Sequence, residues 1–311
     1  MISKADIKLG YDCNNNCVHC VIADQRDYCK KVGRSINRDT QEFIYELNDS
    51  RLHGCDGVIF TGGEPTIRKD IFILLKHAQK IGFEIAMQTN GRMFYYLNFA
   101  ERFVKYNINY AIALHGHNAS IHDSITRVRG SFEQTTKGIK NLLTLGITSI
   151  SGKTVISRFN YKYLPEIVKL FLNFGLRRMN FAFPHANGNA RKYFDIVVPT
   201  YTEIMDYVYQ AIEIVKEYER KMGISIYIDF EAIPFCLMRG YEKYISDITY
   251  IKKKYIELKQ LNFKTRDWNS ARRQQKLKFP QCRKCKYDTI CEGIWKEYPE
   301  KRGYKEFVSV K

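Results

Sequence analysis

Six short apolar runs alternate with longer amphipathic segments along the first 200 residues, and this alternation constrains the fold more than any other feature. The strand-like runs lie at 5–11, 57–61, 84–88, 110–114, 149–157 and 179–183, and the helix-like segments lie at 40–54, 70–82, 131–146 and 164–175. Strands that alternate with helices favour parallel pairing with right-handed crossovers. Six such units are too few for a closed (β/α)8 barrel. We therefore predict an α/β fold, an open partial (β/α)6 barrel whose carboxyl strand ends face a cleft.

After residue 200 the pattern changes. One long amphipathic helix is expected from Tyr201 to Met222, followed by a single strand at 224–229 and by a polar, irregular remainder. We therefore predict a first domain at 1–200 and a smaller second domain at 201–311.

The cysteine usage indicates metal sites rather than disulfides. The N-terminus lacks the apolar stretch of a signal peptide, and no run of ~18 apolar residues could span a membrane. We therefore expect a cytoplasmic protein, in a compartment that keeps thiols reduced. Six of the nine cysteines cluster at 13, 17, 20, 282, 285 and 291, whereas Cys29, Cys55 and Cys236 stand alone, with Cys29 expected in a loop. Clustered thiols of this kind favour metal thiolates.

The formal charge of +17, from 50 basic and 33 acidic residues, favours an anionic partner. Such a partner could be a nucleic acid, an acidic peptide or a phosphorylated small molecule. The alternative is that the excess of basic residues only solvates the surface. No long basic tail marks an RNA-binding arm, so nucleic acid is not the expected partner, although the charge does not exclude it.

The first cysteine cluster has the spacing C-x3-C-x2-C at Cys13, Cys17 and Cys20. Three thiolates on a short loop can hold a cubane iron–sulfur cluster in which one iron keeps an open position. The alternative is a zinc site with His19 as the fourth ligand. Because His19 is adjacent to Cys20, joint tetrahedral ligation by these two residues is awkward.

This spacing, with His19 as an aromatic-type residue before the last cysteine, resembles the signature of the radical S-adenosylmethionine (radical SAM) superfamily. The segment TGGEP at 61–65 resembles the GGE motif of that family, which implies that Gly62, Gly63 and Glu64 bind the amino group of SAM. Two glycines let a backbone approach a ligand closely, and the glutamate supplies a negative charge for an ammonium group. A simple strand-to-helix turn is the alternative. The segment QTNG at 88–91 is either a cleft-lining loop or a plain turn.

The region 112–142 is similar to the fourth-strand region of the peptide-modifying branch of the family. The resemblance places Arg127 where relatives bind the carboxylate of SAM, a role that suits a guanidinium fork. A surface ion pair is the alternative for Arg127. At the strand end the chain reads Ala-Leu-His-Gly at 113–116, where many relatives have a serine that contacts the ribose. His115 either contacts substrate or caps the edge of the sheet.

Two further residues are implied as cofactor contacts. At the end of the fifth strand, Ser157 and Asn160 would add polar contacts to SAM. Polar side chains at the carboxyl ends of parallel strands commonly face a ligand.

The second cysteine cluster, C-x2-C-x5-C, resembles part of the motif in the SPASM and twitch extensions of radical SAM enzymes. Where the longer motif continues with another cysteine, this chain has Trp295. Counting Cys236 as the missing ligand implies a twitch-like domain with one auxiliary [4Fe–4S] cluster, held by Cys236, Cys282, Cys285 and Cys291. A zinc ribbon with the same four ligands is the alternative. Without Cys236 the cluster would keep an open iron.

The resemblance implies an enzyme that cleaves SAM reductively to a 5′-deoxyadenosyl radical, which abstracts a hydrogen from substrate. A one-electron reductant of the flavodoxin or ferredoxin type would supply the electron. We expect a peptide or protein substrate and a maturase-type modification. The alternative is a dehydrogenase or cyclase acting on an anionic small molecule in a sugar or cofactor pathway. A more remote alternative is a non-catalytic zinc- or RNA-binding protein.

Overall fold

A nine-stranded sheet forms the centre of this computed structural model, which describes residues 3–247, 256–261, 264–265 and 267–311. Its strands are β1 (Lys4–Lys8), β2 (Gly57–Thr61), β3 (Glu84–Thr89), β4 (Ile108–Ala113), β5 (Ile150–Val155), β6 (Arg178–Ala182), β7 (Tyr227–Glu231), β8 (Ile256–Lys259) and β9 (Lys264–Thr265). Strands β1 to β7 lie side by side in chain order, and all of these pairs are parallel. The predicted α/β fold with six successive parallel strands is confirmed.

Helices connect the strands. They are α1 (Ala23–Lys31), α2 (Thr40–Leu52), α3 (Ile71–Lys80), α4 (Leu97–Glu101), α5 (Ala119–Thr126), α6 (Ser131–Thr144), α7 (Leu164–Asn173), α8 (Asn189–Lys192), α9 (Phe194–Val197), α10 (Tyr201–Met222), α11 (Trp268–Arg273) and α12 (Glu297–Arg302). The bounds of α10 agree with the prediction because a capping box of Thr200 and Glu203 starts it and Gly223, at φ 65°, ends it. The expected loop around Cys29 is wrong, since Cys29 is buried on α1.

The region after residue 200 extends the sheet at both edges. The strand expected at 224–229 is β7, which pairs in parallel with β6. At the other edge β8 pairs in parallel with β1, and β9 runs antiparallel to β8. A separate antiparallel pair flanks the second cysteine cluster. Its strand β10 (Lys276–Leu277) precedes the cluster and its strand β11 (Ile294–Trp295) follows it. The division into domains at residue 200 therefore does not coincide with an end of the sheet, and it stays a prediction.

One face of the sheet packs on helices and forms the apolar core. Phe43 of α2 lies 5.3 Å from Phe60 of β2, ring centroid to ring centroid. Phe171 of α7 lies so close to Gly152 of β5 that a Cβ there would be 2.5 Å from its ring. The burial pattern alternates along β5, which is the period expected of a strand with two unlike faces. Among the described helices, none is both long and apolar enough to cross a bilayer.

The opposite face of the sheet carries polar side chains that bond across strands. Lys8 donates to Thr61 Oγ1 at 3.1 Å, and Asn180 Nδ2 donates to Asp229 Oδ1 at 2.8 Å. Asp229 is only 8% exposed. Burial, with a smaller contribution from Glu231, raises the pKa of Asp229 to about 6, against the hydrogen bond from Asn180. This face therefore contains a carboxyl group that titrates close to neutral pH.

We predict that Asp229 makes the protein more stable in mild acid. Its pKa of about 6 exceeds its ordinary value of 3.8, so the folded chain holds a proton that the unfolded chain has released. The free energy of unfolding contributed by this group is full below the ordinary pKa and is lost as the pH rises through about 6.

Chemical unfolding of Asp229→Asn and of the native chain, at about pH 5 and about pH 7.5, checks this difference. The variant should lose less stability than the native chain between the two pH values. Asp27→Asn, at an exposed site, serves as the control. An equal loss in Asp229→Asn and the native chain would contradict the raised pKa.

Candidate active site

Loops that follow the carboxyl ends of the strands carry most of the predicted site residues. The cysteine loop follows β1, the GGE segment follows β2, His115 follows β4 and Ser157 follows β5. Because parallel strands end at one edge of the sheet, these loops meet there. The edge also gathers five of the seven histidines, namely His19, His115, His117, His122 and His185.

The first cysteine cluster brings three partly buried thiols together. Burial raises the pKa of Cys13 to about 12, with added repulsion from Glu64 and Cys20. Burial also raises the pKa of Cys17, and the charges of Cys20 and Cys13 add to it. The Asn15 N–H donates to Cys13 Sγ at 3.4 Å, as expected beside a thiolate. These three thiols would repel one another as thiolates, and a metal centre between them would remove that repulsion, so their arrangement fits an iron–sulfur cluster.

Main-chain hydrogen bonds tie the cysteine loop to the end of α5. The Asn16 N–H donates to the carbonyl oxygen of Thr126, and the Val18 N–H donates to that of Ile125, both at 2.9 Å. These two carbonyls belong to the last turn of a helix, where they lack intrahelical donors. The loop and the helix end thus satisfy each other's backbone groups.

The loop after β6 holds the same cysteine loop from the other side. Asn189 donates through Nδ2 to the Cys17 carbonyl at 2.8 Å and through its backbone N–H to the Cys20 carbonyl at 2.9 Å. A Cβ on Gly188, at φ 56°, would lie 2.3 Å from the Cys20 oxygen. Only glycine permits this close approach. The segment PHANGNA at 184–190 therefore clamps the cysteine loop.

Arg92 is a site residue that sequence reasoning missed. Its guanidinium donates to the Asn14 carbonyl, to Asn15 Oδ1 at 2.8 Å and to Gln134 Oε1 at 2.6 Å. Asn90 adds a hydrogen bond from Nδ2 to Asn14 Oδ1 at 2.6 Å. The segment QTNG is thus more than a plain turn, because it and the arginine that follows it support the cysteine loop.

The GGE segment packs on the chain's own backbone. The Gly63 N–H donates to the Gly10 carbonyl and the Glu64 N–H donates to the Asp12 carbonyl, both at 2.8 Å. A Cβ at Gly63 would lie 1.8 Å from the Asp12 oxygen, and one at Gly62 would lie 2.3 Å from the Gly10 oxygen. The two glycines were expected to let the backbone approach a ligand. In the structure they let it approach the segment that leads to Cys13. Binding of SAM by these residues stays a prediction.

The Glu64 side chain joins the ends of two strands. It is buried, and its carboxylate accepts from the Thr66 N–H and hydroxyl, from the Thr89 hydroxyl at 2.6 Å and from the Asn90 N–H at 2.7 Å. Burial raises the pKa of Glu64, and these hydrogen bonds oppose the rise. The Glu64 carboxylate, which we predicted to bind the ammonium group of SAM, thus already accepts hydrogen bonds from four donors of the chain. Its contact with SAM stays a prediction.

Three buried histidines lie at the cysteine loop, His19 within it and His115 and His122 beside it. The rings of His19 and His115 meet edge to face at 4.6 Å, and the His115 backbone N–H donates to His122 Nδ1 at 3.0 Å. Burial lowers the pKa of His19 and of His122 to about 4 and that of His115 well below its usual range. Cys17 Sγ and one nitrogen each of His19 and His115 lie within 4.8 Å of one another. The zinc alternative for this loop therefore has a set of neighbouring donor atoms.

Ser157 and Asn160 are fully buried and bond to each other. Asn160 Oδ1 accepts from the Ser157 N–H at 2.7 Å and its hydroxyl at 3.1 Å. Its Nδ2 donates to the carbonyls of His115 and Val155, both at 2.9 Å. Both amide hydrogens and both lone pairs of Asn160 are used in joining β4 to β5. The polar atoms of Asn160 are therefore already paired within the chain. Contact of Ser157 and Asn160 with SAM stays a prediction.

Arg127 ends α5 in the left-handed region, at φ 57°. The side chain is exposed, and its guanidinium lies 4.7 Å from the centroid of the Tyr193 ring. In the described part of the chain no acidic side chain pairs with it, so the surface ion pair weighed as its alternative is absent there. Its position beside the end of the cysteine loop is compatible with the predicted role at the SAM carboxylate, which stays a prediction.

The four remaining predicted ligands also converge. Cys236, which follows β7, lines one pocket with Cys282, Cys285 and Cys291. Burial raises the pKa of Cys236 to about 12, and the charges of Cys291, Cys282 and Cys285 add to it. The walls are largely apolar, with Phe235, Phe279, Ile294 and Phe307. A lone cysteine in the sequence thus completes a group of four.

Backbone N–H groups point at three of these sulfurs. The donors are Val310 to Cys285 and Gly293 to Cys291, each at 3.4 Å, and Phe279 to Cys282 at 3.5 Å. Such hydrogen bonds stabilise the negative charge of metal thiolates and tune cluster potentials. The surroundings of this second group therefore fit a metal centre.

A group of buried charges fixes the hairpin beside the second centre. Arg272 pairs with Asp247 at 3.2 Å and Glu292 at 2.6 Å, and Lys276 pairs with the same two carboxylates at 2.6 and 3.1 Å. Two positive and two negative charges balance, which limits the cost of burying them. Glu292 follows Cys291 directly, so this group holds a cysteine in place.

Trp295 connects the two centres. Its indole ring stacks on His185 at 3.9 Å with an interplanar angle of 11°, and His185 also pairs with Glu297 at 3.4 Å. His185 belongs to the loop that carries Asn189, the clamp on Cys17 and Cys20. Sequence reasoning marked Trp295 only as the place of a missing cysteine.

The thiol site lies at the carboxyl edge of a parallel α/β sheet, an arrangement that fits a metal centre. A sequence model of the radical SAM superfamily matches residues 7–171. The chain belongs to the radical SAM superfamily and is an enzyme, which removes the alternative of a non-catalytic zinc- or RNA-binding protein. Membership implies SAM and a [4Fe–4S] cluster as cofactors.

Two curated relatives match part of the chain. The AdoMet-dependent heme synthase of Oleidesulfovibrio alaskensis is 27% identical over 200 residues, which are 63% of this chain and 50% of that protein. The mycofactocin maturase MftC of Mycolicibacterium smegmatis is 27% identical over 168 residues, 54% of this chain and 41% of that protein. The matches span half or less of the length of these two relatives.

The crystal structure of Streptococcus suis SuiB bound to precursor peptide SuiA is similar in fold over the whole chain. The TM-score is 0.68 at 16% identity, and the match covers 100% of this chain and 75% of SuiB. At this identity the likeness supports the fold class, a partial barrel of parallel strands.

We predict that Arg92→Ala weakens retention of iron by the first centre about ten-fold, since residues that support metal ligands have effects of that order. The variant loses the hydrogen bonds to Asn14, Asn15 and Gln134. Arg92→Lys keeps the charge without the fork and should be intermediate.

The measurement is the loss of iron to a chelator, followed by the electron paramagnetic resonance (EPR) signal of each centre after anaerobic reconstitution. Arg102→Ala, on the surface over Phe72, is the matched control. If Arg92→Ala and Arg102→Ala retain iron equally, Arg92 does not support the loop.

Proposed function

We propose that this radical SAM enzyme modifies a peptide or protein substrate and that residues 201–311 carry one auxiliary [4Fe–4S] cluster in a twitch-like arrangement. The observation that carries the proposal is the convergence of Cys236, Cys282, Cys285 and Cys291 on one pocket of a chain whose whole length shares the fold of peptide-bound SuiB. We place the substrate between the catalytic site and this second cluster.

At the first centre, Cys13, Cys17 and Cys20 would hold the catalytic cluster. When bound there, the cluster and SAM supply the radical that removes a hydrogen from substrate. The chain's own part is to fix the three partly buried thiols through backbone hydrogen bonds. Gly62, Gly63, Glu64 and Arg127 are the residues we propose to face SAM.

At the second centre, four cysteines would complete the ligand set of one cluster and leave no open iron. The walls of the pocket that the four cysteines line are largely apolar. Full ligation favours a role in electron transfer or in bracing the domain.

Two observations support a peptide substrate. The relatives in sequence and fold include a maturase named for mycofactocin and a protein solved with its precursor peptide. The net charge of +17 would attract an acidic leader or core segment. The electron would come from a flavodoxin- or ferredoxin-type protein, which are acidic one-electron donors suited to the same field.

A small-molecule substrate is the second candidate. The 27% identity to an AdoMet-dependent heme synthase over 63% of the chain favours it as much as the maturase match favours a peptide. An anionic small molecule would also suit the positive charge. The two candidates share the first centre and differ only in what lies between the centres.

We predict that the native chain holds about eight irons after anaerobic reconstitution and that Cys236→Ala loses the irons of the second centre to a chelator faster than the native chain does, because that cluster then keeps three of its four ligands and one open iron. Cleavage of SAM to 5′-deoxyadenosine should persist, since the first centre is untouched. Iron, sulfide and 5′-deoxyadenosine are measured. Cys55→Ala, a buried cysteine beside Ser3 and outside both centres, is the control. Two zinc ions and no SAM cleavage in the native chain would contradict the proposal.

We predict that deuterium appears in 5′-deoxyadenosine when the enzyme turns over with a deuterated peptide substrate, because the radical takes its hydrogen from that substrate. Mass spectrometry of the nucleoside measures the transfer. Deuterated anionic small molecules form the parallel arm. Transfer from a small molecule, with none from acidic precursor peptides, would support the second candidate instead.

A further inference from the structure

The second group of cysteines lies at the surface of the chain. Leu277 and Val308 line the same pocket as the four cysteines, and these two residues are 39% and 62% exposed. Cys282 and Cys285 are themselves only partly buried. A protein that docks on this surface would therefore come close to the second centre itself.

Three exposed basic residues surround the exposed side of this centre. Arg283 and Lys284 lie between Cys282 and Cys285, and Lys286 follows Cys285 directly. We call Arg283, Lys284 and Lys286 the basic collar. Within the described ranges, none of the three forms an ion pair with an acidic side chain.

The acidic side chains of this region already have partners. Asp288 pairs with Lys278 at 3.0 Å, Glu242 accepts from the Tyr287 hydroxyl, and Glu292 belongs to the group of buried charges. The positive charge of the collar is therefore left to act on an approaching molecule. Such a field attracts and orients an acidic partner.

The surface beside the first centre has mixed charges instead. Helix α1, which begins three residues after Cys20, exposes Asp24 and Asp27 together with Lys30 and Lys31. Opposite charges this close together largely cancel in their effect on a protein that approaches from solvent. The charge pattern therefore favours the second centre as the place where an acidic protein docks.

Packed and bonded residues lead from the second centre to the first. Trp295, four residues after Cys291, stacks on His185 at 3.9 Å. The loop of His185 carries Asn189, whose Nδ2 donates to the Cys17 carbonyl at 2.8 Å. Covalent bonds, one ring stack and one hydrogen bond thus join the two centres, and electrons tunnel more readily through bonded and packed atoms than through solvent.

We propose that the basic collar is the docking surface of the acidic one-electron donor and that the electron enters the chain at the second centre. The inference rests on the proposed function, in which the four cysteines there hold a cluster. The donor loses one electron and the second centre gains it, and no proton or covalent bond is transferred. A small surface with exposed apolar side chains and charges around them suits a brief encounter of the electron-transfer kind.

The test is the binding of a flavodoxin to the reconstituted full chain, measured by calorimetry at about 50 mM and about 500 mM salt. Arg283→Gln/Lys284→Gln/Lys286→Gln should raise the dissociation constant about ten-fold at the lower salt concentration. The difference should nearly vanish at the higher one, because salt screens exposed charges.

A matched variant removes three charges beside the first centre. Lys30→Gln/Lys31→Gln/Arg34→Gln changes the net charge equally, at exposed residues of α1 and the turn after it, and should bind flavodoxin like the native chain. Equal weakening by both triple variants would overturn the inference, since only the overall field would then matter. Weakening by the α1 variant alone would also overturn it and would place the donor beside the first centre.

The second readout is the formation of 5′-deoxyadenosine with two reductants. With flavodoxin the collar variant should be about ten-fold slower than the native chain. With dithionite, a small reductant that needs no docking surface, the two should be equal. The cleavage of SAM expected to persist in Cys236→Ala is the cleavage that dithionite supports.

Three further outcomes are distinguishable. Unchanged flavodoxin binding, with weaker binding of a poly-glutamate peptide, would overturn the inference and assign the collar to an acidic substrate. If the triple variant loses the iron of the second centre, Lys284→Gln and Lys286→Gln replace it, each expected to raise the dissociation constant about two-fold; no rise in either would overturn the inference. A native chain that cleaves no SAM with dithionite would overturn the proposed function itself.

Discussion

Hydrogen bonds to the backbone of the cysteine loop are the interaction on which the first centre depends. The loop has little apolar surface of its own, and it is held from β2, β3, α5 and the loop after β6. The contacts from α5 and from the GGE segment join main-chain groups. Asn90 and Arg92 add bonds from their side chains. The site therefore exists only where several strand ends come together, which explains why its residues are spread over nearly 180 positions, from Cys13 to Asn189.

Burial of the thiols adds an electrostatic condition. Away from water, thiolates that lie close together are unfavourable, and a metal centre removes that cost. Both groups of cysteines share this property, and both receive N–H donors at sulfur. The stack of Trp295 on His185 then couples the position of one group to the loop that clamps the other. The two centres are in this sense parts of one structure, although the sequence separates them by more than 200 residues.

The sequence predicted those features that local chemistry determines. The predicted bounds of β2 and α10 agree with the structure, because neighbouring residues determine a buried strand and a capped amphipathic helix. Long-range pairings could not be inferred, and so β8 beside β1 and the contacts of Arg92 with Asn14 were missed. Likewise, Ser157 and Asn160 have the right chemistry for a ligand, and only the structure reveals that they satisfy each other.

The pairing of β8 with β1 has a consequence for how the protein is made. Strand β1 has β2 as one neighbour and β8, which begins at Ile256, as the other. Until that second neighbour is synthesised, one edge of β1 is open, with unpaired N–H and carbonyl groups that other strands can join. Contacts of such large sequence separation also slow folding. The edge of β1 is therefore exposed for a time during synthesis. A chaperone or rapid translation would protect it from aggregation in that period.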